Sequence, residues 1–295
     1  MKRHPLLSAC LVTVLLIILF LGLSLLTLPW LRKGDFWSGG AKVGVVEIKG
    51  LIADSRVPLK QLDRFKRDPN IKAIVLRVNS PGGAVGASQE ILREVEKVRK
   101  TKKIVASLGT VAASGGYYVA CGADVIMASP GTTTGSIGVI MQFVNLQEVT
   151  KKLGLDFFAL KAGRYKDVGY PFRSMSPEDK AYLQSLLDNV YQQFIRDVAK
   201  NRKIPLKKMK EIAEGRIYTG EEAKKLGLVD EFGNLPDAIE RAGRLGGIKG
   251  KVEAVYPEKE GFSLLRLLIG QEAEESLTSL ALPYPEPAFL PTWFK

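Results

Sequence analysis

Histidine is almost absent from this chain. The single one, His4, precedes a long apolar run and stands apart from anything that could fold into a domain behind it. A Ser–His–Asp triad and a histidine-ligated metal site are therefore excluded. Cysteine is nearly as scarce: Cys10 sits in the apolar run and Cys121 far beyond it. Such a pair makes neither a disulfide framework nor a cysteine metal site, and it leaves the redox compartment unread. No acidic residue occurs before Asp35. No basic stretch is interleaved with aromatic residues, so no nucleic-acid partner is expected. Internal repeats and low-complexity tracts are missing as well.

What is present begins with the segment Leu6–Leu31, which carries no charge. A helix of that length spans a hydrocarbon core of about 30 Å. Lys2 and Arg3 precede it and Arg32 and Lys33 follow it, a weak asymmetry that favours a cytoplasmic N-terminus. The reading is a single transmembrane anchor in the cytoplasmic membrane, with the rest of the chain outside the cytoplasm. A cleaved signal peptide is the alternative, but its apolar region would be shorter and a small-x-small site would follow. Leu7-Ser8-Ala9-Cys10 imitates a lipidation motif, yet its cysteine comes before most of the apolar run rather than after it. The expected organisation is a cytoplasmic tip and anchor over 1–33, a stalk over 34–42, a catalytic domain over 43–260, and a C-terminal helix with a proline-spaced tail over 261–295. Lysine and arginine number 43 against 31 acidic residues. A basic domain tethered to a bilayer suits anionic lipid head groups; a generally basic solvated surface accounts for the charge equally well.

Beyond the stalk, β-branched runs alternate with glycine turns and amphipathic stretches. VGVVEIKG, IKAIVLRV, KIVASLG and DVIMAS read as buried strands, and LDFFAL (Leu155–Leu160) as a further one. NSPGG (Asn79–Gly83) is expected to end the second strand. Ala87–Lys100 places Ile91, Val95 and Val98 on one helical face. Ser176 and Pro177 read as the cap and first residue of a long helix to about Lys203. The alternation predicts an α/β fold with a largely parallel sheet. The tail LPYPEPAFLPTWF is expected to form no regular element.

With no histidine, a hydrolase needs another base, and a desolvated lysine can serve. In TVAASGGYYVA, Ser114 lies where a strand gives way to a helix, with backbone N–H groups nearby to stabilise an oxyanion. The same position suits a plain helix cap. PGG at a strand's C-terminal edge makes an amide-rich loop, or an ordinary turn. GSIGV (Gly135–Val139) and the loop Gly163-Arg164-Tyr165-Lys166-Asp167 complete the set.

NSPGG, ASGGYY, TTTGSIGV and GRYKD, in this order, closely resemble the signal peptide peptidase A family, peptidase family S49, in its short single-repeat form. The resemblance covers roughly Val43–Gly246 with no departure at the motif positions. It implies the Clp-protease/crotonase type of α/β fold and a serine endopeptidase with a Ser–Lys dyad. It implies Ser114 as nucleophile, Lys166 as general base and Ser136 as the group that orients the lysine. Backbone amides of Gly82 or Gly83, with that of Gly115, would form the oxyanion hole. No metal or organic cofactor is implied. The implied substrates are remnant signal peptides or other apolar peptides. The implied assembly is a homo-oligomer, expected to be a ring of eight, in which serine and lysine come from neighbouring subunits. The alternatives are an inactive membrane scaffold of the same fold and a crotonase-like acyl-CoA enzyme.

Overall fold

The computed structural model describes residues 15–20, 22 and 40–257, and the backbone of 288–289. Residues 15–20 and 22 are helical with exposed side chains. The rest of the expected anchor, Leu6–Leu31, lies outside the described residues, as does the C-terminal helical patch near 262–270. Among the described residues, no helix is long and apolar enough to cross a membrane. The chain divides into two units, Met1–Gly40 and Ala41–Lys295. The second unit carries the sheet and its covering helices.

The β-branched runs form the sheet centre. Strands β1 (Lys42–Ile52), β2 (Ile71–Ala84) and β3 (Lys103–Ala113) pair in parallel. Both faces of these strands are buried, which is why they read as continuous apolar runs. The connecting helices are α1 (Arg56–Arg67) and α2 (Val85–Arg99). Ile91, Val95 and Val98 of α2 are fully buried, as their spacing predicts. Together with Leu62 and Phe65 of α1 they cover one face of the sheet, whose Ile74, Leu76, Ile104 and Ala106 belong to the same cluster.

Strand β3 is the fork of the sheet. Its first half, Val105–Ser107, pairs with β4 (Val125–Ala128), and its second half, Val111–Ala113, pairs with β5 (Thr133–Gly135). From β5 the sheet continues antiparallel to β6 (Ile217–Thr219), and from β4 in parallel to β7 (Glu231–Phe232). At the other edge, β8 (Glu253–Val255) joins β1. The short helix α3 (Gly115–Ala120) follows β3 directly and is buried throughout. After α4 (Gln147–Lys152) comes the long helix α5 (Pro177–Arg202), which begins at the expected Ser176 cap. Ser176 accepts from the Asp179 amide, and the Asp179 carboxylate accepts from the Ser176 amide, a closed capping box. Helices α6 (Leu206–Ile212) and α7 (Gly220–Leu226) lead to α8 (Leu235–Leu245), whose Ala238 and Ala242 pack on the opposite sheet face against Val45, Val75 and Val105.

Three expectations need correction. NSPGG does not end β2. The strand runs on to Ala84, with register irregularities opposite Lys49–Leu51 and at Val78–Ser80. A bulge accepts a proline that cannot donate to the ladder. LDFFAL forms no strand, and all six of its residues are exposed, Leu155, Phe157, Phe158 and Leu160 among them. A pleated segment needs a neighbouring strand, and none pairs with it among the described residues. Finally, the proline-spaced tail does hold a regular element: β9 (Ala288–Phe289) lies antiparallel on Gly83 and Ala84 of β2.

Ile74, fully buried on the central strand, tests this packing. Ile74→Ala is expected to cost about 2–5 kcal/mol of unfolding free energy, read by urea titration. A cost under about 0.5 kcal/mol would place Ile74 outside a packed core.

Candidate active site

One residue separates β3 from α3, and it is Ser114. Its backbone has φ 53° and ψ −119°, a region that side-chain-bearing residues enter only when the surroundings enforce it. Two hydrogen bonds do so: the Ser114 amide donates to Gly135 O at 2.8 Å, and Ser114 O accepts from the Tyr118 amide at 2.8 Å. The helix-cap reading fails here, because the Ser114 side chain makes no capping bond. Its Oγ is completely buried and has no hydrogen-bond partner among the described residues. A buried hydroxyl without a partner is costly, so the site holds an unmet polar group.

The glycine loop abuts this turn at backbone distance. A Cβ on Gly115 would lie 2.7 Å from Ser88 Oγ and 3.1 Å from Gly83 N. One on Gly116 would lie 2.6 Å from Ser80 O, and one on Gly83 only 2.2 Å from Ile52 O. These glycines are what lets the PGG segment reach the N-terminus of α3. The Gly82 amide is occupied, donating to Ser80 Oγ at 3.1 Å. The Gly115 amide, in the first turn of α3, has no intrahelical acceptor.

Ser136 comes to the same place through β5. Gly135, which accepts from the Ser114 amide, is its chain neighbour. Ser136 is buried, also has positive φ (50°), and is fixed by its amide donating to Arg216 O at 2.7 Å. Among the described non-glycine residues, Ser114, Ser136 and Lys203 have positive φ. Lys203 closes α5, so the other two cases of this strain fall at the site. Beside it, a cleft of about 400 Å³ opens between Gly138–Met141 and the Leu187 and Tyr191 side of α5.

Lys166 is not with them. It lies in an exposed turn after Gly163, and no hydrogen bond or ion pair of its amine occurs among the described residues. Its neighbours are well anchored. Arg173 donates to both Asp167 oxygens, at 2.8 and 2.9 Å, and to Asp179 at 2.5 Å. Tyr165 stacks on Tyr182 at 4.6 Å and donates to Glu178. The structure thus brings Ser114, Ser136, Gly82, Gly83 and Gly115 together within one chain, and among the described residues no hydrogen bond joins Lys166 to any of them. Ser80, Ser88 and Arg173 were not foreseen. Serines at turns and helix starts are too common to stand out, and an arginine seven residues beyond a lysine forms no motif.

Cys121 is buried, and burial pushes its thiol well above the usual range, so it is no nucleophile. Among the described residues no cluster of histidine, cysteine or carboxylate side chains could hold a metal.

The model of peptidase family S49 matches residues 96–249, which include Ser114, Ser136 and Lys166, and the Clp protease model matches residues 47–134. The chain belongs to peptidase family S49. It is a serine peptidase with a Clp-type α/β fold. A provisionally named protease of Methanocaldococcus jannaschii is 40% identical over 72% of this chain and 69% of its own length. The provisionally named signal peptide peptidase SppA of Enterococcus faecium is 35% identical over 75% of this chain and 68% of its own. Protease 4 of Salmonella typhi is 36% identical over 71% of this chain, but the match spans only 35% of that longer protein.

In this S49 domain Gly83 tests the glycine contact. Gly83→Ala drives a Cβ into the Ile52 carbonyl, and displacement of the loop is expected to lower kcat/KM more than tenfold, as small misplacements at a reacting centre do. Peptidase assays of the folded variant read it. Undiminished activity would remove the loop from the site.

Proposed function

We propose that this chain is a membrane-anchored endopeptidase in which Ser114 of one subunit works with Lys166 of another on apolar peptides. The observation that supports this reading is the presence of two parts that are each incomplete. Ser114 Oγ is buried without a partner, and Lys166 stands on an exposed segment without one. That segment also exposes Phe158 and Leu160, at 80% and 95%. Exposed apolar side chains clustered on one arm suit contact with a second copy. A repeating contact of this kind is heterologous and closes into a ring when the rotation allows; a ring of eight is our expectation.

An unprotonated Lys166 takes the Ser114 proton, and Ser114 Oγ attacks a peptide carbonyl. The protonated lysine then delivers that proton to the leaving amine. Water attacks the acyl-enzyme with the lysine again as base. Charge developing on the carbonyl oxygen is met by the amides of Gly115 and Gly83, the Gly82 amide being taken by Ser80. Ser136, one residue from the Ser114 contact, would orient the incoming amine. The edge of β2 at Gly83–Ala84 already accepts an extended chain, β9, antiparallel. A substrate bound in the same manner would take the place of β9 on this edge. Remnant signal peptides fit this apolar, extended description.

Ser114→Ala and Lys166→Ala are each expected to lower kcat by several orders of magnitude in folded protein, with fluorophosphonate labelling lost in Ser114→Ala. Wild-type activity in either variant would overturn the dyad. The wild-type kcat/KM is expected to fall as pH is lowered, since a protonated lysine is no base; a rate unchanged down to about pH 4 contradicts it. For the anchor, protease added to spheroplasts is expected to digest the domain. Resistance until the membrane is lysed would place it inside the cell.

A further inference from the structure

Asp167, Glu178 and Asp179, the carboxylates bonded to or next to residues of the Lys166 turn, are already engaged. Asp167, one peptide bond from Lys166, receives Arg173 on both oxygens, and Lys161 Nζ on Oδ1 at 2.5 Å. Asp179, in the first turn of α5, receives the third arm of the same guanidinium and the Ser176 amide. Glu178, also on α5, is held by Arg164 and by the Tyr165 hydroxyl. Lys166 is left as the one cation of this turn with no anion of its own among the described residues.

We propose that Arg173 is a positioning residue for the Lys166 base, because its two-pronged grip on Asp167 keeps the neighbouring carboxylate from pairing with the lysine amine. This rests on Lys166 being the base. An ammonium ion beside a free carboxylate holds its proton, and a base must release it. Arginine suits the task better than lysine. Its planar fork takes both carboxylate oxygens, and its charge does not titrate in the working range. The third arm matters equally. By binding Asp179 at the capped start of α5, Arg173 ties the turn to a 26-residue helix. Asp167 is correspondingly held down, at about 2, chiefly by Arg173 and then by Lys161. Asp179 lies further below the usual carboxylate range, again through Arg173 first. Asp167 remains a charged anion throughout the pH range in which a peptidase works, so its competition for Lys166 is permanent unless Arg173, together with Lys161 on Oδ1, occupies it.

The test measures kcat/KM against pH in the full-length protein for wild type, Arg173→Ala, Arg173→Lys, Asp167→Asn and the double variant Arg173→Ala with Asp167→Asn. Removing Arg173 leaves Lys161 on Asp167 Oδ1 but frees Oδ2, and this is expected to move the acidic limb of the profile to higher pH by about one unit, which is about tenfold in rate on that limb. Removing the freed carboxylate in the double variant is expected to bring the limb back to its wild-type position. Arg173→Lys is expected to fall between. A merely structural arginine would lower the rate equally at every pH and would not be rescued by Asp167→Asn; either result overturns the proposal. Should Arg173→Ala fail to fold, Asp167→Asn alone decides: its limb is expected at or below the wild-type pH, and a limb moved upward refutes the idea. Lys166→Ala in the same series separates the two claims. Activity there defeats the dyad itself, whereas an inactive Lys166→Ala with an unmoved Arg173→Ala limb defeats only this inference.

Discussion

The hydrogen bond from the Ser114 amide to Gly135 O is the joint on which the site depends. It fixes a positive-φ serine between β3 and α3 and draws the end of β5, which Ser136 directly follows, to the same point. Strain of this kind costs on the order of 1–3 kcal/mol. The surroundings offset it: β3 and α3 are almost entirely buried, and Tyr117 of α3 donates from the core to Leu228 O at 2.8 Å. Each fully buried side chain of that size contributes about 1.5–3 kcal/mol. The turn is therefore held by packing on both sides rather than by its own preference.

Around that joint, absence of side chains is the organising feature. Gly83, Gly115 and Gly116 permit backbone to meet backbone, and any Cβ there would collide with a carbonyl, an amide or the Ser88 hydroxyl. The fork of the sheet at β3 serves the same end. Had β3 kept one neighbour along its whole length, Ser136 would not reach the end of the strand where Ser114 turns.

Much of this was legible in the sequence because it rests on local chemistry. The β-branched runs announced β1 to β4, the spacing of Ile91, Val95 and Val98 announced the buried face of α2, and Ser176-Pro177 announced the start of α5. Ser114 was legible through its place between a strand and a helix together with the ordered motif set that resembles family S49, and its backbone strain was not. LDFFAL misled because an apolar run signals burial without naming the partner that supplies it. NSPGG misled because a bulge lets a strand continue through residues that ordinarily end one. Arg173 was invisible because its meaning lies in three oxygens that the fold, not the chain order, brings to it.

The central claim is that one chain holds the serine and another supplies the lysine. Its most direct measurement is the peptidase activity of mixed oligomers reassembled from Ser114→Ala and Lys166→Ala subunits, each inactive alone. Some interfaces in such mixtures join an intact serine to an intact lysine, and the account predicts partial recovery that peaks near equal proportions. No recovery in oligomers shown to contain both subunits, or full activity in a verified monomer of the unaltered protein, would contradict it.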